Sequence, residues 1–366
     1  VRDYGVVEKT ACLLAEDIKR VTNKKVPVSS KKVSAEYAVV VGTVGHNAFI
    51  DRLVAEGQLD VSAIRGGWEQ FVVKTIDDPA KGVKKVLVIA GCDRRGTAYG
   101  VFTLSEAIGV SPLYWWADVP TKRKSQLYIE NINYVSQAPS VQYRGIFIND
   151  EGWGITPWAG KTFDKELGDI GPKTYAKVCE LILRMKGNML APAMHPSSGA
   201  FNKYPENKLV ADSYGIIMSS SHCEPLLFNT ASEWKRDKMG EWDYINNKKG
   251  VDSVLNVRVK ECAPFENVYT LALRGLHDRA MNASNDMGDR KDMLQEALMA
   301  QRQMLINAIG KPGEEIPQAF TPYKEVLDVY DEGLELPDDV TIIWPDDNYG
   351  YMKRLSSPKE QKRSGR

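Results

Sequence analysis

Between residues 143 and 344 the chain repeats one pattern six times: a short apolar, β-branched run, then a polar stretch, with a helical segment before most of the next runs. The runs fall at 143–148, 188–193, 216–220, 268–273, 316–321 and 340–344. Two intervening helices carry their own boundaries. "PKTYAKVCELILRMKGN" (172–188) opens on Pro172 and closes at Gly187, with Tyr175, Val178, Cys179, Ile182 and Met185 on one face. "RKDMLQEALMAQRQMLINAIG" (290–310) repeats the spacing with Met293, Leu294, Ala297, Leu298, Met304, Leu305 and Ala308. Strands separated by helices pair in parallel through right-handed crossovers. Six are more than a doubly wound half needs, so the expected fold is α/β, a (β/α)8 TIM-type barrel of which about six of eight strands are present.

The first third has a different texture. "YAVVVGTVG" (37–45) and "KKVLVIAG" (84–91) are continuous apolar runs suited to a sheet covered on both faces, with "EQFVVKTIDD" (69–78) as a third strand. "GTAYGVFTLSEAIGV" (96–110) has helix spacing. A small N-terminal α/β layer domain is expected over 1–125, a polar, proline-bounded linker over 126–140, and the barrel over 141–366. The glycine loops "GTVGHN" (42–47) and "GCDRRG" (91–96) each follow a strand, but neither matches a dinucleotide or phosphate-loop pattern, and tight turns explain them.

The 48 basic and 48 acidic residues balance, which argues against a general affinity for nucleic acid or an anionic membrane. No apolar run approaches the ~20 residues that span a bilayer. The five cysteines are scattered without a CxxC pair, so neither a zinc site nor a disulfide framework is indicated.

In a barrel of this kind the reacting groups gather at the carboxyl ends of the strands, because the loops there share one rim. Those ends carry Asn149, Asp150 and Glu151; His195; His222 and Glu224; Arg274, His277 and Asp278; Tyr323, Lys324 and Glu325; Asp346, Asp347 and Asn348. Of only four histidines in the chain, three lie there. No GxSxG or reactive-cysteine setting points to a nucleophilic triad. No HExxH or HxH spacing points to a metal, although a metal-dependent hydrolase stays open. Carboxylates, amides and indoles on one rim suit a sugar, with Trp153 and Trp158 placed to stack on pyranose faces. Glycoside hydrolysis needs one protonated and one ionised carboxyl, and Asp278 and Glu325 end consecutive strands. A non-catalytic carbohydrate-binding protein on the same scaffold is the other open reading.

The strings "AGCDRRGTAYGVFTLSEAIGVSPLYWWADVP", "YRGIFINDEGWG", "GNMLAPAMH", "LRGLHDRAM" and "WPDDNYGYMKRLSSPKEQKRSG" resemble glycoside hydrolase family 115, the xylan α-1,2-glucuronidases. The resemblance runs over nearly the whole chain. It implies release of glucuronic acid or 4-O-methylglucuronic acid from glucuronoxylan, with inversion and without a cofactor. It implies that Asp278, in an Arg-Gly-x-x-Asp pattern, and Glu325 are the catalytic carboxylates, without saying which is acid and which base. Asp150, His222, Arg274 and Asn348 match positions lining the uronic acid pocket, where the arginine would pair with the uronate or orient a catalytic acid. Inversion requires carboxyls roughly 6.5–9.5 Å apart.

Members of the family continue past "EQKRSG" into the last two strands of the barrel. A six-stranded arc leaves two unpaired edges, so the 366-residue chain by itself is expected to be unstable or inactive. The resemblance also implies export to the periplasm or cell exterior, and a parent that dimerises through later domains.

Overall fold

A computed structural model describes residues 3–365, apart from 32, 34, 151 and 348. The chain divides into two compact units, one comprising 1–145, 176–188 and 213–215, the other 146–175, 189–212 and 216–366.

The first unit is a layered α/β structure. It contains α1 (Gly5–Thr22), β1 (Tyr37–Thr43), α2 (Ala48–Ala55), β2 (Phe71–Ala80), β3 (Val83–Gly91), α3 (Arg94–Ala107) and β4 (Asn133–Val135). The sheet order is β1-β3-β2-β4. β1 runs parallel to β3, with Tyr37 opposite Lys85 and Thr43 opposite Gly91. β2 and β3 form an antiparallel pair in which Phe71 faces Gly91, and β4 pairs antiparallel with β2. The stretch expected as a linker, 126–140, thus supplies an edge strand. One face of the sheet packs Val40, Val72, Val86, Val88 and Ala90 against Ile50 and Leu53 of α2. On α3, a Cβ at Gly100 would stand 2.5 Å from the Ile89 side chain, so glycine lets the helix lie against the sheet.

The glycine loops are accounted for by capping. The Asn47 side chain accepts from the amides of Phe49 and Ile50 at the start of α2, and Asp93 accepts from Arg95 and Gly96 at the start of α3. Residues 176–188 join this unit through buried charge: Arg184 donates in two parallel bonds to Asp17, at 2.8 and 3.2 Å.

In the second part of the chain each expected strand is present in shorter form. In order come β5 (Gly145–Phe147), α4 (Ile155–Trp158), α5 (Pro172–Arg184), β6 (Met189–Ala191), α6 (Pro205–Ser213), β7 (Ile217–Met218), α7 (Arg236–Met239), α8 (Lys248–Cys262), β8 (Tyr269–Thr270), α9 (Met287–Ile309), β9 (Gln318–Phe320), α10 (Glu325–Asp331) and β10 (Thr341–Ile342). α5 stops three residues before Gly187. The left-handed residue beyond it is Lys186 (φ 60°), and Gly187 donates back to Ile182 O at 2.7 Å. α9 starts three residues earlier than its periodicity alone predicts, because Asp286 caps it through Asp289 N; Gly310 (φ 73°) ends it as expected.

Spatial order follows chain order, β5-β6-β7 and β8-β9-β10. Met189 is paired in parallel with Ile217, Tyr269 with Gln318, and Thr341 with Ala319. A parallel bridge between Met218 and Asn267 links the two sets. The result is a mixed α/β fold with several sheets. Behind β8 and β9 the core gathers Leu255 and Val259 of α8 and Leu294 and Leu298 of α9 with Leu271, Leu273, Phe320 and Val340. β5, by contrast, is an exposed edge, with Ile146 and Phe147 45% and 44% open. Among the described residues no helix is long and apolar enough to cross a membrane.

Candidate active site

The site is built where β8 and β9 end. After Thr270 the backbone of β8 continues through the buried Leu271, Ala272 and Leu273. Gln301 of α9 clamps it, accepting from Ala272 N (3.0 Å) and donating to Ala272 O (2.6 Å). Arg274 follows, its carbonyl fixed by Trp242 Nε1 at 2.7 Å. The chain then turns tightly: Gly275 N donates to Arg279 O at 3.0 Å. A Cβ at Gly275 would lie 2.4 Å from Ala280 O, so only glycine fits between Arg274 and Asp278. His277 has φ 56° and is held there by its amide, which donates to Thr230 Oγ1 at 3.0 Å. This turn brings Asp278 back beside Arg274.

Arg274 is the centre of the arrangement, its side chain only 2% exposed. Its Nε and Nη2 donate to Glu325 Oε1 and Oε2 at 3.1 and 2.7 Å, a fork-on-carboxylate pair, while Nη1 donates to Asp278 Oδ1. Burial alone would weaken the guanidinium's hold on its proton, but the bonds and charges of Glu325 and Asp278 outweigh it and raise the Arg274 pKa. One planar guanidinium, about 2.3 Å between nitrogens with bonds of about 2.8 Å on either side, keeps the facing carboxylate oxygens within about 8 Å.

Asp278 receives two further donors. His222, from the loop after β7, reaches Oδ1 with Nε2 at 2.7 Å, and Lys324 reaches Oδ2 with Nζ at 2.5 Å. Partial burial pushes the Asp278 carboxyl up, yet the His222 and Lys324 bonds and the Arg274 charge hold it far below the usual carboxylate range. Tyr323 walls this side, its ring 4.6 Å from the His222 ring. The His222 loop is itself fixed by Glu224, fully buried, whose carboxylate accepts from Ser221 N (3.0 Å), Ser221 Oγ (2.9 Å) and Asn229 Nδ2 (2.8 Å). Burial overrides those donors and pushes Glu224 up to about 7.

A second string ties three strand ends together. His195, after β6, lies 2.8 Å through Nε2 from Asn149 Oδ1 and 3.0 Å through Nδ1 from His277 Nε2. It anchors the turn that carries Asp278 to the loops after β5 and β6.

Of the residues expected from sequence, Asp278, Glu325, Arg274 and His222 meet within direct hydrogen bonds. Asp150 is buried within its own loop, where its carboxylate accepts from Gly154 N (3.1 Å), Thr156 N (2.9 Å) and Thr156 Oγ1. Burial raises that carboxyl, but these donors lower it further still. Trp153 projects into solvent, 83% exposed, while Trp158 stacks on Phe163 with centroids 5.6 Å apart. Asn348 and Glu151 lie outside the described residues. Sequence reasoning had Lys324 at a strand end without giving it a place in the site. Its signal was its position, a cation immediately before a carboxylate at the same rim. Among the described residues no group of three or more His, Cys, Asp and Glu side chains is arranged to hold a metal ion.

A sequence model of glycosyl hydrolase family 115 matches residues 136–366, more than half of the chain. The chain belongs to glycosyl hydrolase family 115. The matched segment holds Arg274, Asp278, His222, Lys324 and Glu325 together. Among solved structures the chain is similar to BtGH115A, described as a family 115 4-O-methyl-α-glucuronidase with specificity for decorated arabinogalactans. The two are 38% identical with a TM-score of 0.89, over 99% of this chain and 46% of that one. This chain therefore spans under half the length of that relative. A family 138 enzyme targeting pectin rhamnogalacturonan II is 12% identical at a TM-score of 0.50, over 92% of this chain and 46% of that one. A chitobiase from Flavobacterium johnsoniae is 11% identical at 0.51, over 95% and 51%. These two likenesses concern the fold alone. No curated protein matches the chain.

Proposed function

We propose that this family 115 chain carries the N-terminal domain and the first six strands of the catalytic barrel of an α-glucuronidase. The enzyme releases glucuronic acid or its 4-O-methyl form from glucuronoxylan or its oligosaccharides. The observation that carries the reading is that a single buried guanidinium, Arg274, holds the two candidate carboxylates, Asp278 and Glu325, on either side of it. Both face the rim formed by parallel strand ends, where (β/α)8 enzymes do their chemistry. β5 and β10 are the free edges between which two further strands would close the barrel.

In this mechanism one carboxyl protonates the departing glycosidic oxygen while the other activates water on the opposite face. The bridge through one guanidinium sets only an upper limit of about 8 Å, which admits the spacing for inversion and the shorter one for retention alike, so the anomer released decides between them. Trp153 is open to stack on a sugar face, and His222, beside Asp278, lines the uronic acid pocket. The polymeric substrate suits an exported enzyme, and dimerisation would use domains beyond this chain.

The test uses the full-length protein on glucuronoxylan oligosaccharides. Asp278→Asn and Glu325→Gln are each expected to lower kcat by about 10²–10⁴-fold. Proton NMR of the fresh product should show the β-anomer before mutarotation. Variants that keep wild-type turnover would sink the assignment of these two carboxylates, and a wild type that binds the oligosaccharides without turning them over would leave carbohydrate binding as the function. An α-anomer appearing first would sink inversion, and loss of activity to a chelator would favour the metal-dependent reading.

A further inference from the structure

The arginine that a uronate would be expected to meet is already committed. Arg274 is 2% exposed, and Nε, Nη1 and Nη2 all point at the enzyme's own carboxylates. A cation for the substrate carboxylate has to come from elsewhere on the rim. Lys324 is placed for it. Its ammonium sits on the outer oxygen of Asp278, its side chain is 44% exposed, and it flanks Glu325 in sequence. An ammonium carries three donors, so it can face Asp278 and a second acceptor. The Tyr323 ring lies beneath it, with Nζ 5.2 Å from the centroid.

The backbone gives an independent sign. Lys324 has φ 54° and ψ −128°, a conformation that suits glycine and strains a residue with a Cβ. Strain of that kind persists where the surrounding structure enforces it and marks sites where a side chain has a task. A glycine would adopt this conformation without Cβ strain, yet the position holds a long cation aimed at Asp278.

Resting on the α-glucuronidase reading, we propose that Lys324 is the ligand of the substrate's C6 carboxylate, and that its ammonium moves from Asp278 to that carboxylate as the substrate seats. Three groups face Asp278: Arg274 from its own turn, His222 from the loop after β7, and Lys324 from the loop after β9, with Glu325 beyond Arg274. Together they hold the free-site carboxyl so firmly ionised that it is a poor partner for a proton in either direction. Withdrawing Lys324 removes one of the three and moves the Asp278 pKa back toward a working range. A neutral pyranoside, with a hydroxymethyl group at C6, leaves Lys324 where it is and Asp278 idle. The site thereby selects a uronic acid twice, in binding and in arming the chemistry.

The experiment compares 4-nitrophenyl α-D-glucuronide with 4-nitrophenyl α-D-glucoside, which differ only at C6, in the full-length enzyme and in Lys324→Met. Losing a charged partner is expected to lower kcat/KM for the glucuronide by about 10–100-fold, with KM raised, while the glucoside, for which Asp278 is now freed of the ammonium, does not fall and gains up to about tenfold. An equal fall for both substrates would mean that Lys324 only positions Asp278, and would overturn the proposal. So would an unchanged preference. Lys324→Gly, which the backbone conformation favours, supplies a second variant that folds on its own account. Added propylammonium should restore its glucuronide turnover in a concentration-dependent way and should not raise the glucoside rate; rescue of neither or of both overturns the proposal. A wild-type enzyme inactive on every glucuronide sinks the function itself, whereas an active wild type whose preference survives in Lys324→Met sinks only this inference.

Discussion

Replacing Arg274 by methionine is the sharpest probe of the site, because one guanidinium binds both Asp278 and Glu325. The side chain fills a buried volume that methionine also fills, so the change removes charge and donors more than packing. Asp278 keeps His222 and Lys324. Among the described residues Glu325 keeps only the amide of Met281, at 3.3 Å. Breaking a fully buried pair by deleting one partner costs about 3–5 kcal/mol. Glu325 and Asp278 are 19% and 24% exposed, so water recovers part of that. The expected loss is therefore about 2–4 kcal/mol, read as a lower thermal or urea midpoint in the full-length protein. Turnover should fall further than stability, by at least about 10³-fold, since both carboxylates lose the group that fixes their spacing. Arg274→Lys separates the causes: one ammonium restores charge but cannot fork onto Glu325 and also reach Asp278, so stability recovers more than turnover. If Arg274→Met keeps turnover within about threefold of wild type, the bridged pair is not the reacting pair.

Other outcomes follow from the same geometry. Gln301→Leu strands the amide and carbonyl of Ala272 in the core and should destabilise by about 2–4 kcal/mol in denaturant titrations. Asp150→Asn removes charge from the cap of the β5 loop and should lower the melting temperature at neutral pH. Because the folded Asp150 carboxyl lies below its unfolded value, its contribution is complete above about pH 4 and is lost as pH falls through the folded value. The gap between variant and wild type should therefore close in acid and stay open at pH 7. Glu224 has the opposite sign. Raised from 4.5 to about 7, it keeps its proton in the folded state while the unfolded chain has lost it, so stability declines as pH rises across that window. Glu224→Gln should remove a slope of up to about 1.4 kcal/mol per pH unit from the stability profile between those values.

Much of this was legible in the linear chain because it depends on neighbours. Strand runs, helix periodicity, and the signals of Pro172 and Gly310 act over one or two turns, and each appears in the fold within a few residues. The Arg-Gly-x-x-Asp pattern is local too, since Gly275 permits the turn that returns Asp278 to Arg274. Parallel order also follows from rhythm, because crossover helices leave few other ways to arrange the strands.

What the side chains do to one another was decided only in three dimensions. Arg274 and Glu325 are 51 positions apart, His195 and His277 are 82 apart, and Lys324 meets Asp278 across 46. The linear chain left open whether Arg274 would pair with a substrate or orient a carboxylate, and it did not say that Arg274 would fork onto Glu325, or that Asp150 would turn inward to cap its loop. Periodicity places a residue at a strand end, but a charged group settles with whichever partners share its buried space. Those partners arrive from distant segments that only the folded core brings within about 3 Å.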